Sequence, residues 1–194
     1  MIELPACPRI DDAVPKLVGY FTDQTPILGG PQSRVGRIGD RWGLDVVTAP
    51  AEYAEEGMVM LSRLLRGMTD TVVMDFPEPG VPVLDYGAPV VSAPSAGSLL
   101  PLSGLKAGAE IREGKFLSVI VMGQRFLYQA AATVAEVGGA MLLPIYPMIR
   151  VQPPVGSVVE MRPKIEGFVQ GNEQSWQVSR SKYLPFNFSL LEVE

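Results

Sequence analysis

Histidine is absent from the 194 residues, and cysteine occurs once, at Cys7. Without imidazole the chain has no His-dependent triad, no His-ligated zinc and no side chain whose ordinary pKa lies near neutrality. A single thiol between Ala6 and Pro8 makes neither an intrachain disulfide nor a thiolate metal cluster. Positive charge is also scarce. Sixteen Lys and Arg against 21 Asp and Glu leave a net charge of -5, the wrong sign for a surface that neutralises phosphates, so no nucleic-acid binding is expected. Arg34, Arg37 and Arg41 lie close together, but Asp40 and Asp45 dilute them. No apolar run reaches the roughly eighteen residues of a membrane-spanning helix, so no membrane insertion is expected. The first residues have neither a basic segment nor an apolar signal core, and production in a cytosol is expected.

Apolar residues make up 47% of the chain and charged ones 19%, a balance that supports a substantial core. Eighteen prolines and 20 glycines point to short strands and many turns rather than long helices. The expected class is mainly β, of the α+β kind.

Residues 1–32 contain five prolines and a closing Gly-Gly-Pro, and read as an extended arm with one strand around residues 17–21. Asp11 and Asp12, with no aromatic or basic residue beside them, read as a solvated turn. The segment GRIGDRWG resembles the start of a dinucleotide-binding loop, but no parallel strand precedes it and no helix opens from it. Strand and turn is the better reading there, with Trp42 as a packing anchor. A helix is predicted over about 50–66, capped by Thr48 with Pro50 in its first turn. Glu52, Glu55 and Glu56 come early and Arg63 and Arg66 late, as the helix dipole favours. Tyr53, Gly57, Met60, Leu61, Leu64 and Met68 form the stripe expected to be buried against a sheet, and Gly67 marks the end. Met58, Met60 and Met68 read as flexible filler. TVVMDF, residues 71–76, is a strand by its β-branched content.

A Pro/Gly-rich passage over residues 77–101 is the best domain boundary in the chain. Its second half, residues 88–102, is expected to supply one strand to a second unit. Short strands closed by tight turns then follow: a strand beginning at Ile111, an apolar run 116–122, a reversal at Gly123-Gln124 and a strand 125–134. That last strand places Phe126 and Tyr128 on one face and Arg125, Leu127 and Gln129 on the other. Val137-Gly138-Gly139-Ala140 is the clearest hairpin turn. The strand 141–146 carries Pro144 and is predicted to be an edge or bulged strand. Val158 to Met161 closes the set. The C-terminal segment places Trp176, Val178 and Arg180 on one strand face, and Phe186, Phe188 and Leu190 on one face of a docked final strand. The reading is therefore a discontinuous β-sandwich, residues 1–80 and 164–194, carrying the helix, with a small antiparallel β-barrel, residues 81–163, inserted in it.

Carboxylates are the remaining groups for acid-base chemistry. Glu110 with Glu113, and Glu166 with Glu173, are the candidate pairs, both near turns in polar settings. No calcium loop and no phosphate-binding loop is present, and Asp40, Asp45, Asp70, Asp75 and Asp85 are scattered. No catalytic, cofactor-binding or metal residue is therefore assigned, and no enzyme activity is expected.

The runs GLKAGAEIREGKFLSV, GQRFLYQ, LPIYPMIRVQPPVGSVVE, PKIEGFVQGNEQSW and KYLPFNFSLLE resemble a family of tailed-phage tail-tip proteins of the distal tail or baseplate type. Pro147-Met148-Ile149-Arg150 with its following Pro-rich turn, and Gly171-Asn172-Glu173 followed by Trp176, carry the resemblance most specifically. Gly138-Gly139 departs from the polar turn usual in comparable sequences, and Pro185 interrupts the last strand. The resemblance implies a structural virion subunit, made in the host cytoplasm and placed in the tail. It implies a homo-oligomeric ring, expected to be hexameric, that meets the tail tube protein and the tip or hub proteins. The alternative is a carbohydrate- or receptor-binding module of the tail. That reading requires Trp42, Tyr86, Tyr128, Tyr146 and Trp176 to form an exposed aromatic platform.

Overall fold

The computed structural model describes residues 1–6, 8–176 and 182–193. Among these, the strands in chain order are β1 (Ile2–Glu3), β2 (Ile10–Val18), β3 (Phe21–Gln24), β4 (Ser33–Gly36), β5 (Arg41–Thr48) and β6 (Ala51–Glu52). A π-helical turn (Tyr53–Gly57) and helix α1 (Met58–Arg66) follow, then β7 (Val72–Asp75), β8 (Gly87–Val91), β9 (Leu99–Leu105), β10 (Glu110–Ile111), β11 (Phe116–Val121) and β12 (Gln124–Ala130). The last strands are β13 (Val134–Ala135), β14 (Ala140–Tyr146), β15 (Val159–Glu160), β16 (Lys164–Val169), β17 (Tyr183–Leu184) and β18 (Asn187–Glu192). The fold is mainly β with one helix.

Two six-stranded sheets dominate. The first runs β1-β7-β16-β18-β5-β2, so strands from both ends of the chain lie side by side. All its pairs are antiparallel except β1 with β7. Strand alternation puts Leu44 and Val46 of β5, Phe188 and Leu190 of β18, Ile165 of β16 and Val72 of β7 on one apolar face. Met60 and Leu64 of α1 cover part of that face, and Leu127 with Phe116, from the second sheet, covers another part. The second sheet runs β15-β11-β12-β14-β9-β8, and a Val90–Val158 bridge joins its two ends into a barrel. Phe126, Tyr128, Leu100, Leu102, Leu117 and Leu143 fill its interior.

The ends of the barrel segment lie together. The Phe76 N–H donates to the Pro163 carbonyl at 2.8 Å, and Asp75 is opposite Lys164 in the antiparallel β7–β16 pair.

Several local expectations are corrected. The helix begins at Tyr53, because Ala51–Glu52 pairs with β17 as a strand. Thr48 is no cap: its hydroxyl accepts the Phe186 N–H at 3.0 Å, stitching the ends of β5 and β18. Tyr53 is exposed, so the buried face of the helix is set by Met60 and Leu64. Gly67 ends the helix with a right-handed φ of -66°. Glycine is needed there for space, since a Cβ would stand 2.6 Å from Val72 Cγ1 and 2.8 Å from Val169 Cγ2.

The N-terminal segment is not a free arm. β1 and β2 belong to the sheet, Asp11 and Asp12 mark a bulge in β2 rather than a turn, and the chain leaves the sheet after Val18. Residues 88–102 give two strands, β8 and β9, rather than one. The β11–β12 turn centres on Met122-Gly123, with φ 52° and 85°, one residue earlier than expected.

Pro144 sits in an interior strand, between β12 and β9. Leu142 lies opposite Pro101, a pair that cannot exchange two hydrogen bonds. Two residues on, Pro144 opposite Leu99 has the same parity, so its missing N–H would point away from that ladder. β12 does not pair with Pro144, since it meets only Ile145 and Tyr146. The predicted Val137-Gly138-Gly139-Ala140 turn is present, and Glu136 accepts the Gly139 and Gly108 N–H groups, which hold its carboxyl below the usual range.

Candidate functional site

The most unusual surface is the β3–β4 hairpin, which among the described residues pairs only with itself. Its base is tied down by polar contacts. Asp40 Oδ1 accepts the Tyr20 N–H at 2.7 Å, Arg41 Nη2 donates to the Tyr20 hydroxyl at 2.5 Å, and the Arg37 N–H donates to the Tyr20 carbonyl at 2.8 Å. Arg34 grips Asp23 with two nitrogens, at 2.7 and 3.0 Å, and lies over the Phe21 ring at 4.2 Å from its centre. The Asp23 carboxyl is held below its usual range by that hydrogen-bonded pairing. Beyond this stalk, Ile27 and Leu28 are fully exposed at the tip. A second exposed apolar surface lies on the outer side of α1, where Met58, Val59 and Leu65 face solvent.

Two clefts flank the first sheet. One, of about 530 Å³, lies where Pro5, Pro8 and Ile10 pass Met60 and Phe188, with Arg63 at its rim donating to the Glu3 carbonyl at 2.5 Å. The other, about 890 Å³ and open, runs over the outer sheet face past Val14, Val47, Asn187 and Trp176. Among the described residues the open cleft holds Ser189 in a hydrogen bond with Asp45, a carboxylate that Lys16 also engages.

Of the candidate carboxylates, Glu166 is taken up by structural hydrogen bonds. Glu166 is buried and accepts the Arg125 N–H at 2.9 Å and the Thr71 hydroxyl at 3.2 Å, whereas Glu173 is exposed in the open cleft. Glu110 contacts Arg112 at 3.4 Å, and the Glu113 backbone N–H is held by Thr133 Oγ1 at 3.0 Å. Asp45 pairs with Lys16 at 2.5 Å, Asp85 with Lys106 at 2.9 Å, and Asp75 stands 3.8 Å from Lys164. Among the described residues no three His, Cys, Asp or Glu side chains come together as a metal site. Of the five aromatics in the platform reading, Trp42, Tyr86 and Tyr128 are buried and only Tyr146 and Trp176 reach solvent. Tyr128 lies in the barrel core, where burial pushes its hydroxyl up to about 12. Cys7, Val178 and Arg180 lie outside the described residues.

Charge is concentrated where the barrel meets the sheet. β12 pairs with β14 only through Gln129 and Ala130, which leaves the earlier part of one β12 edge without a strand partner. Carboxylates of the first sheet take its N–H groups instead: Glu166 takes that of Arg125, and Glu192 takes that of Leu127 at 2.6 Å. The other Glu192 oxygen accepts the Trp42 N–H at 3.1 Å. Arg150 Nη2 stands 2.5 Å from Glu192 Oε1, its Nη1 donates to the Val193 carbonyl at 3.1 Å, and its guanidinium lies 5.2 Å from the Phe126 ring centre. Burial pushes the Glu192 carboxyl up, and Arg150 with the two N–H groups pulls it partly back. Arg125 is raised mainly by its hydrogen bonds to Glu160, at 2.9 and 3.2 Å. Sequence reasoning named Arg150 and Glu166 for other reasons and missed Glu192, although alternation from Phe188 and Leu190 places position 192 on the buried face.

No family model and no curated protein matches this sequence.

Proposed function

We propose that the chain is a structural subunit of a bacteriophage tail tip, resembling a distal tail or baseplate protein. It would form a homo-oligomeric ring that joins the tail tube protein to the tip or hub proteins. The resemblance supplies the family, and the observation that carries the assembly reading is the β3–β4 hairpin. Its stalk is internally paired while its tip presents Ile27 and Leu28 to water, an arrangement that leaves apolar surface without a partner among the described residues. A closing ring needs two different complementary patches on each copy, and the outer face of α1 is a second apolar surface. The first sheet with its helix is the proposed ring wall, and the barrel the part that meets other tip proteins. The subunit works without turnover or cofactor in this reading.

Native mass spectrometry and electron microscopy of the purified chain test it. Closed rings, with six copies expected, and antibody label at the tube end of tails support the reading. The double substitution Ile27→Ser with Leu28→Ser is expected to return the ring to monomers with little change in Tm, because both side chains are already solvated in the monomer. A wild-type chain that stays monomeric at high concentration, with label at the fibre tips, overturns the assignment.

A further inference from the structure

We infer that the Glu192–Arg150 pair is an orientation lock: it fixes the angle between the six-stranded sheet and the barrel, and adds little to the stability of either. This inference stands apart from the tail-tip reading. Two kinds of contact hold the barrel to the sheet. The apolar kind consists of Phe116, 4.9 Å from Trp42 and 4.5 Å from Phe76 between ring centres, together with the buried Leu127 side chain. Such contacts are non-directional and survive small rotations. The polar kind is directional. One carboxylate, that of Glu192, receives a sheet N–H on one oxygen and a barrel N–H on the other, from Trp42 and Leu127. A rotation of the barrel by an ångström or two at this point breaks one of the two bonds. Arg150 adds a third constraint through its Nη1 hydrogen bond to the Val193 carbonyl, while its Nη2 makes an ion-pair contact with the carboxylate and its guanidinium lies over Phe126.

Burial sets the energetics. The Glu192 side chain has no exposed surface and that of Arg150 is 5% exposed. Dehydrating two charges offsets most of what their attraction returns, so such pairs are often replaceable by apolar residues without loss of stability. What the apolar replacement lacks is a preferred angle. Position 167, opposite Glu192 in the β16–β18 register, is glycine, and a Cβ there would collide with the Leu191 backbone. The strands therefore approach closely beside the carboxylate.

The test replaces both members with Met, Glu192→Met with Arg150→Met. Nitroxide labels at Ser62 on α1 and Val137 on the barrel, in a Cys7→Ser background, then report the distance distribution between the two units. The two amides left without an acceptor are expected to lower Tm while both units stay folded, and the distribution is expected to widen about twofold. An unchanged distribution overturns the inference, and so does a large fall in Tm with loss of both units, which would make the pair a stability element. Wild-type hydrogen exchange gives a second test that needs no variant. The Leu127 and Trp42 amides should exchange at least about tenfold faster than core amides such as Leu44 and Val119, through opening of the joint alone. Exchange of all four only by global unfolding would overturn the lock.

Discussion

All six barrel strands come from residues 87–160, while the sheet draws β1 and β2 from the start of the chain, β7 and β5 from before the barrel, and β16 and β18 from after it. The barrel closes on itself through Val90 and Val158, which removes most of its free edge. The sheet stays open. Its edges are blunted by other means: β1 is two residues long, and β2 carries a bulge and Pro15. Closure is expected to make one unit more nearly self-sufficient, and the other depends on the arrival of its last strand. β18 sits in the middle of the sheet, between β16 and β5, so the sheet is complete only when residues 187–192 are in place.

The sharpest way to break this comparison is to remove β18. A chain ending at Tyr183 is expected to lose exchange protection at Leu44 and Ile165 and to keep it at Leu102 and Val119; loss at all four would show that the barrel is not self-sufficient. Single cavities come next. Leu190→Ala and Leu100→Ala each remove a fully buried side chain and should cost about 2–5 kcal/mol. Denaturant curves followed by unit-specific fluorine labels should show each loss in its own unit first. Gly67→Ala forces a methyl against Val72 and Val169 and is expected to cost about 1–3 kcal/mol in chemical denaturation.

A pH series sharpens the comparison at the joint. Because the folded-state pKa of Glu192 is raised, the folded chain holds that proton more tightly than the unfolded one. Its contribution is fully present below the ordinary carboxyl range and is lost as pH rises through the elevated value. Stability of the wild type relative to Glu192→Gln should therefore fall with rising pH, and a difference that grows with pH would contradict the assignment. The smallest effect is expected on the outer sheet face. Asp45 is held below its usual range by the Lys16 hydrogen bond, but both side chains are more than 40% exposed, so Lys16→Met should change stability by less than about 1 kcal/mol.

The two regions also differed in how much of them the sequence made legible. In the barrel, glycines at positive φ stand at the turns, as at Met122-Gly123 and Gly138-Gly139, so strand boundaries follow from local chemistry to within a residue or two. Pro144 misled because its permission to sit inside a sheet depends on the parity of a partner strand, which is a property of the register and not of the segment. In the sheet, the apolar alternation of Phe186, Phe188 and Leu190 signalled a docked strand, but nothing local says that its neighbours are β5 and β16. Thr48 and Pro50 gave a strong capping pattern that lost to pairing of Ala51 with Leu184, a contact across more than half the chain. The joint was the least legible feature. Glu192 reads as a polar terminal residue until the barrel edge it serves is known. The hairpin tip was visible only as TPILGG, an ordinary turn sequence, since exposure of Ile27 and Leu28 is decided by what the rest of the chain leaves uncovered.

The hydrogen bond between Phe76 and Pro163 has a consequence for the order of events during folding. β7 and β16 form an antiparallel pair whose connecting loop is the whole barrel. As an unstructured loop, that segment would raise the entropy cost of closing the pair by about 2–3 kcal/mol over a four-residue turn. Once the barrel has formed, its two ends already lie together and the pair behaves as a short hairpin. Barrel formation is thus expected to precede and accelerate closure of the sheet. In stopped-flow refolding with separate probes, Leu100→Ala should slow the appearance of the sheet signal although residue 100 lies outside the sheet. A sheet that forms at an unchanged rate would mean that β7 and β16 find each other around a still disordered loop.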